Sequence, residues 1–288
     1  MNVLGVILAR AGSVGLRNKH LVELLGQPVI EYTFDHARQA TRLSRVVVSS
    51  DCPRVRRLAE AHGLATIARP AELATSDASV QDVMLHAMES VERPSATGST
   101  DSTSSPRASS PHAGSGQAPF RADALVVLYG NVPARGPGVI DRAVEMLEMT
   151  GCDSVRSFCP VGKWHPAWMA RLGGPDGNCV EPLHAGSIHR RQDLERDGRL
   201  LLHDGAVVAV SRASMLRGRE YPDDPHAFFG IDRRGFETGI GETVEIDSPR
   251  DLYWAEAVLR ERQSGGGVVE CMPGLVSGAH PRGNVVVE

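Results

Sequence analysis

Val6-Ile7-Leu8-Ala9-Arg10-Ala11-Gly12-Ser13-Val14-Gly15-Leu16-Arg17-Asn18-Lys19 sets an apolar run against a loop of small and cationic residues. The segment from Val3 to Ala9 reads as a buried parallel strand, and it stops where glycines and charges begin. Gly12 and Gly15 permit a tight turn that brings backbone N–H groups close to an anion. Arg10, Arg17 and Lys19 add three cations to the same loop. The combination predicts a polyphosphate cradle at the carboxyl end of the first strand, where open α/β sheets bind ligands. A Walker loop is excluded, because no Gly-Lys-Ser/Thr closes the run. A dinucleotide fingerprint is excluded as well, because Arg10 stands two residues before Gly12.

The remaining sequence is consistent with one cytoplasmic domain. A chain of 288 residues can bury a sizeable core. A net charge of −4 and a pI near 6.3 give no nucleic-acid footprint. Five cysteines without C-x-x-C spacing point to reduced thiols rather than a disulfide framework or a zinc site. No apolar run approaches the roughly 20 residues that span a bilayer, and no signal peptide precedes the first strand. Neither a membrane nor a nucleic acid is expected as a partner.

Strands alternate with helices along the first half, which predicts an α/β fold with a mainly parallel sheet. Strands are expected at Val3–Ala9, Arg45–Ser50, Ala124–Tyr129, Asp153–Phe158 and Ala206–Val210. Helices are expected at Pro28–Ala40, after Asp51 and Pro53, at Ser79–Glu92, at Gly138–Met149, and after Ser248-Pro249-Arg250-Asp251. Residues 93–122, rich in Ser, Pro, Gly, Ala and Thr, are expected to form a disordered surface insertion. Residues 160–203 hold Trp164, His165, Trp168, His189, Arg190 and Arg191 and break the alternating rhythm. They read as an excursion that mediates dimerisation. The tail from 265 to 288 carries no periodicity.

A second chemical element lies far downstream. Thr243-Val244-Glu245-Ile246-Asp247 alternates with period two, so a strand here would turn Glu245 and Asp247 to one face. Two carboxylates side by side suit a hard cation such as Mg²⁺, which bridges carboxylates to substrate phosphates.

The opening loop, followed by Gly26-Gln27-Pro28-Val29-Ile30-Glu31-Tyr32-Thr33, resembles the two leading motifs of the CMP-sugar synthetases, the acylneuraminate and Kdo cytidylyltransferases. Further segments are similar to that family: Ser50-Asp51, Arg69-Pro70 with Leu73-Ala74 and Ser79, and Val244–Asp247 with Ser248-Pro249, Asp251-Leu252 and Trp254-Ala255-Glu256. The resemblance implies a Rossmann-like nucleotidyltransferase sandwich of three layers with a small dimerisation excursion. It implies that Ala9, Arg10, Ala11, Gly12, Ser13, Arg17, Lys19, Arg69 and Ser79 bind CTP, with Arg10, Lys19 and Asp247 catalytic and Mg²⁺ on Glu245 and Asp247.

His189–Leu194 and Asp204-Gly205-Ala206 resemble the acceptor side of the same family. Arg191 and Gln192, together with Tyr129 and Asn131, are the expected contacts to an acidic sugar. A guanidinium suits a carboxylate because it can bind it with two parallel hydrogen bonds. The chain departs from the family at Tyr129–Ala134, at Asp204, at Val208, and at Glu245 where an Asp is usual. Lys163–Pro166 and Trp168 either shape the acceptor pocket or form an aromatic dimer contact. The resemblance implies a homodimeric cytidylyltransferase that activates a sialic-acid-like sugar. A Kdo-like or other acceptor, and a non-catalytic nucleotide-binding relative, are the alternatives.

Overall fold

The computed structural model describes residues 1–12, 15–93, 120–183, 190, 193 and 200–264. Eleven strands occur among them: β1 (Val3–Leu8), β2 (Glu23–Leu24), β3 (Gln27–Pro28), β4 (Arg45–Ser50), β5 (Ala65–Ala68), β6 (Ala124–Tyr129), β7 (Ser154–Pro160), β8 (Ala170–Gly173), β9 (Cys179–Pro182), β10 (Leu201–Ser211) and β11 (Arg233–Glu237). The helices are α1 (Val29–Gln39), α2 (Pro53–Ala61), α3 (Val80–Glu92), α4 (Val139–Thr150), α5 (Arg212–Arg217) and α6 (Pro249–Gln263).

Seven strands form one sheet in the order β11-β7-β10-β6-β1-β4-β5. Only β10 runs against its neighbours β6 and β7; the other pairings are parallel. Strand β1 is buried along its whole length, as a strand covered on both faces must be. Its alternate residues feed two cores. Val3 and Ile7 pack with Ile30 and Phe34 of α1 and Val144 and Leu147 of α4. Leu4, Val6 and Leu8 pack with Met84 and Met88 of α3, Met215 of α5, and Phe228 and Phe229. The expected three-layer, mainly parallel sandwich is therefore present.

A third, smaller core positions the site. Ala255 and Leu259 of α6 close over Val244, Ile246, Ala134, Leu24 and Val29. The last helix thereby carries the segment before it onto the carboxyl ends of the central strands. Its start is fixed by Asp251, whose Oδ2 accepts the N–H groups of Ser248 at 2.6 Å and Asp247 at 2.9 Å. This is the backward half of a capping box.

Several sequence expectations change. Thr243–Asp247 is not a strand; it makes one antiparallel bridge, Val244 to Ala134. Two backbone bonds, Val244 N to Ala134 O and Ile246 N to Asn131 O, replace a ladder because only that short stretch runs alongside it. Asp51 does not cap α2; Cys52 occupies the cap position. The surface insertion cannot reach residue 122, because Ala122 is fully buried and the Arg45 guanidinium lies 4.5 Å from the Phe120 ring centre. Arg93 closes α3, and residues 94–119 lie outside the described residues. The excursion likewise ends before β10, whose Leu201 to His203 already pair with β7. It includes a β8–β9 hairpin, and the 265–288 tail lies outside the described residues. Among the described residues no helix is long and apolar enough to cross a membrane. Cys52, Cys152, Cys159 and Cys179 are free thiols.

Asp141 ties the α4 start to the loop before β4. Its carboxylate accepts the N–H and hydroxyl of Thr41 and the N–H of Arg42, at 2.8–3.0 Å. Burial alone would raise its pKa, but these three bonds and the Arg42 charge hold it below the usual carboxylate range. A depressed folded pKa adds stability above the unfolded value and loses it as pH falls through the folded one. Asp141→Asn should therefore cost stability by an amount constant above about pH 5 and shrinking below about pH 4. Urea melts at pH 7 and pH 3 check this, and an equal cost at both pH values contradicts it.

Candidate functional site

The loop after β1 is held open by its neighbours. Ala9 donates its N–H to Ser49 O at 3.1 Å, and Ala11 donates to Asp51 Oδ1 at 2.8 Å. Asp51 thus serves the loop rather than its own helix. A Cβ on Gly12 would meet only the Arg10 guanidinium, at 4.0 Å, so the chain there faces open space. Ser13 and Val14 lie outside the described residues. Asn18 turns with φ 55° into a short 3-10 turn, Lys19–Leu21. That turn sends Lys19 into the cleft and buries His20 beneath it. Arg17 is exposed and does not line the cleft.

Gly15 serves a different purpose from the one its sequence suggests. A Cβ there would stand 2.4 Å from the Asp247 carbonyl oxygen. Its missing side chain lets the loop after β1 touch the acidic segment, which lies 232 positions further along the chain. The contact is reinforced by Lys19, whose Nζ donates to Asp247 Oδ1 at 2.7 Å.

The acidic pair is organised by Asn131. Its Nδ2 lies 3.1 Å from Glu245 Oε1, 3.0 Å from Ile246 O and 3.4 Å from Asp247 Oδ1. One buried amide therefore holds both carboxylates on one side of the chain. Burial raises the Glu245 pKa; the Asn131 bond opposes this, Asp247 adds to it, and Lys19 and Arg135 oppose it. Arg135 is buried beneath. It donates to Ala206 O, Thr33 Oγ1, Val132 O and Tyr129 O at 2.7–2.9 Å. Burial, offset by Glu245 and Asp204, lowers its pKa to about 9, so it stays cationic at neutral pH.

The cleft between these elements has a volume of about 230 Å³. Arg10, Lys19 and Arg69 bring positive charge to it; Tyr129, Asn131 and Glu245 form the opposite side. Arg69 is fixed by donating to Ser49 Oγ and Ser49 O at 3.2 and 2.8 Å. Burial, opposed by Asp51 and aided by Arg10, lowers its pKa to about 10. His20 is pushed down to about 3 by burial and then by Lys19, Arg69 and Arg10, so the floor is a neutral imidazole. Gly130 makes room for it, since a Cβ would lie 3.0 Å from His20 Cδ2 and 3.1 Å from Leu8 O. Burial and Glu245 push the Tyr129 hydroxyl up to about 12.

Of the residues expected from sequence, Arg10, Lys19, Arg69, Tyr129, Asn131 and Glu245 meet at this cleft, with Asp247 bonded to Lys19. Ser79 caps α3: its Oγ accepts the Asp82 N–H at 3.0 Å and donates to Asp82 Oδ2 at 2.7 Å. Arg191 and Gln192 lie outside the described residues. Asp204 binds Ser157 Oγ, the Ala206 N–H, Thr238 Oγ1 and Thr243 Oγ1, so this departure supports the register shift within β10 between His203 and Val208. His20 and Asp51 were not singled out as site-forming from sequence. His20 directly follows Lys19 and Asp51 directly follows β4, and no local periodicity marks either as part of a site.

Comparison with known proteins gives a consistent picture. Residues 4–93 match the family described as Cytidylyltransferase. An N-acylneuraminate cytidylyltransferase of Escherichia coli is 37% identical over 86 residues, which is 30% of this chain and 20% of that protein. A CMP-N,N'-diacetyllegionaminic acid synthase of Legionella pneumophila is 24% identical over 267 residues, 91% of this chain and 98% of that one. The solved structure of a CMP:2-keto-3-deoxy-manno-octonic acid synthetase complexed with CTP shares the fold, with a TM-score of 0.62 at 20% identity over 91% of this chain and all of that one. The alignment with the E. coli protein thus spans one fifth of its length, whereas that with the Legionella protein is nearly complete. With the loop, the acidic segment and the sheet in these positions, the chain is similar over residues 4–93 to the cytidylyltransferase family and over nearly its whole length to a CMP-sugar synthase.

Proposed function

We propose that the chain transfers the cytidylyl group of CTP to the anomeric hydroxyl of an acidic 2-keto sugar, giving a CMP-sugar and pyrophosphate. The observation that carries this reading is the seam between the two chemical elements: Gly15 against the Asp247 carbonyl, and Lys19 on its carboxylate. In the reaction the hydroxyl oxygen bonds to the α-phosphorus, the bond from that phosphorus to the pyrophosphate oxygen breaks, and the hydroxyl proton is released. Arg10, Lys19, Arg69 and the open amide at Gly12 suit the negative charge of the triphosphate and of the leaving pyrophosphate. Catalysis of this kind rests on positioning and charge, and Asn131 and Arg135 provide positioning through buried hydrogen bonds.

Glu245 and Asp247 are hard oxygen donors, and Lys19 already places a cation on one of them. Among the described residues no three or more His, Cys, Asp and Glu side chains gather into a metal group. This suits Mg²⁺, which takes one or two carboxylates and completes its shell with phosphate oxygens and water. When bound by Glu245 and Asp247, Mg²⁺ would supply positive charge against the triphosphate. The acceptor class follows the Legionella relative, whose name specifies a CMP-linked acidic sugar. A sialic-acid-like acid is the favoured acceptor, and the enzyme is read as cytoplasmic.

The test is pyrophosphate release from CTP with N-acetylneuraminate or 3-deoxy-manno-octulosonate and Mg²⁺ present. Asp247→Asn should lower turnover by about 100-fold or more with an unchanged circular dichroism spectrum. Gly15→Ala, which only pushes the loop off the Asp247 carbonyl, should lower it roughly 10- to 100-fold. Near-normal turnover in Asp247→Asn would refute the assignment of the acidic segment.

The same reading includes a homodimer. Leu172 and Val180 face each other across the β8–β9 hairpin and are 71% and 68% exposed, with Trp164 62% exposed on the same excursion. Apolar side chains gathered on one exposed excursion fit a partner surface. Sedimentation should show a dimer in the native chain and a monomer in the Leu172→Asp, Val180→Asp double variant. A monomeric native chain would overturn this part.

A further inference from the structure

Beyond the nucleotide cleft, on the same face of the sheet, lies a group of cationic and aromatic side chains that the preceding assignments do not use. Val208 of β10 packs in the core that contains Leu8 and Tyr129, and Tyr129 lines the cleft. The residue opposite Val208 on β7 is Arg156. Its guanidinium lies 4.4 Å from the Phe229 ring centre and 5.1 Å from that of Phe158. His203 is paired with Phe158 across the strands, with the two rings edge to face at 5.8 Å.

Two polar atoms in this group are buried without a hydrogen-bond partner among the described residues: Arg156 Nε and His203 Nε2. Arg156 also has no carboxylate partner among them. The charge acting on it is a second guanidinium, Arg233, which together with burial lowers its pKa. Two guanidiniums acting on each other, one of them with a buried unused N–H, are costly unless an anion joins them; Asp204, which acts on His203, is already bonded to Ser157, Thr238 and Thr243. The strand that carries His203 reaches the acidic side of the cleft. Two residues beyond His203, a Cβ on Gly205 would lie 3.4 Å from Glu245 Oε2. Arg10 and Lys19 lie on the other side of Glu245 as lining of the donor cleft.

We propose that Arg156, with His203 beside it, is the specificity-determining anchor for the carboxylate of the acceptor sugar. The proposal rests on the reading of the chain as a transferase to an acidic 2-keto sugar. In such a sugar the carboxylate is attached to the anomeric carbon that bears the attacking hydroxyl. A cation held beside the strand that reaches Glu245 therefore orients that hydroxyl as well as binding the acid. The Phe158 and Phe229 rings hold the guanidinium plane and exclude water from it, which strengthens a charge-assisted hydrogen bond.

The experiment measures binding and turnover separately on the full chain. Binding of N-acetylneuraminate and of 3-deoxy-manno-octulosonate is followed by calorimetry in the presence of the α,β-methylene analogue of CTP, whose Pα–C bond the reaction cannot break. Arg156→Met keeps the apolar contact with the rings and removes the charge. It should weaken binding of the acid, and raise its KM, by roughly 10- to 100-fold while leaving the KM for CTP unchanged. Arg156→Lys should recover part of the loss. The carboxamide of the same sugar should bind the native chain weakly and bind Arg156→Met no worse, an outcome that a merely structural role for Arg156 does not produce. Unchanged acid binding in Arg156→Met, or no saturable binding of either acid to the native chain, overturns the proposal. Arg156-dependent binding without pyrophosphate release from CTP would instead refute the transferase reading and leave the anion anchor standing.

Discussion

The buried guanidinium of Arg135 is the constraint on which the rest of the site depends. It collects the carbonyl groups of Tyr129, Val132 and Ala206, which mark the end of β6, the loop beyond it and the register shift within β10. Strands whose ends carry unpaired carbonyls would otherwise splay or leave acceptors stranded away from water. A side chain with five donors in a rigid fork satisfies several at once and fixes their relative positions. Asn131 is suspended between two of these anchored carbonyls, and through it the two carboxylates are set. The catalytic geometry is inherited from a knot of main-chain hydrogen bonds.

The two sides of the cleft are built on different physical terms. The donor side is cationic and rigid: Arg69 is tied to Ser49, and the backbone of the loop is tied to Ser49 and Asp51. Its neutral imidazole floor keeps a further charge from accumulating beneath three others. The acidic side is compensated from both directions, by Lys19 across the cleft and by Arg135 below. Such mutual compensation opposes the burial that raises the Glu245 pKa and lets opposite charges stand close together. Asn131 adds direction to that balance.

Much of this was legible in the sequence because it is periodic or local. The buried strands Arg45–Ser50 and Ala124–Tyr129 match their apolar runs to the residue, and α3 follows its apolar stripe. The glycine-rich cationic loop and the acidic pair were legible as residue types at a spacing. Strand β11, Arg233–Glu237, was not: its RRGFE sequence has neither alternation nor an apolar run, and it becomes a strand only because β7 offers it an edge. Asp51 looked like a helix cap because Pro53 follows it, yet the competing donor, Ala11, comes from 40 residues away. Gly15 shows the same limit. Its sequence neighbours suggest an anion turn, whereas the constraint is a carbonyl from the far end of the fold. Contacts set by tertiary approach leave no local trace in a single sequence.

The ion pair between Lys19 and Asp247 joins groups 228 positions apart. Contacts of such separation form late, since the intervening chain must be ordered before they can close. A polypeptide still emerging from the ribosome has its cationic loop long before it has the carboxylates that complete the cleft. Completion of the cleft is thereby coupled to docking of α6, and this helix acts as an internal check that the sheet beneath it has been assembled.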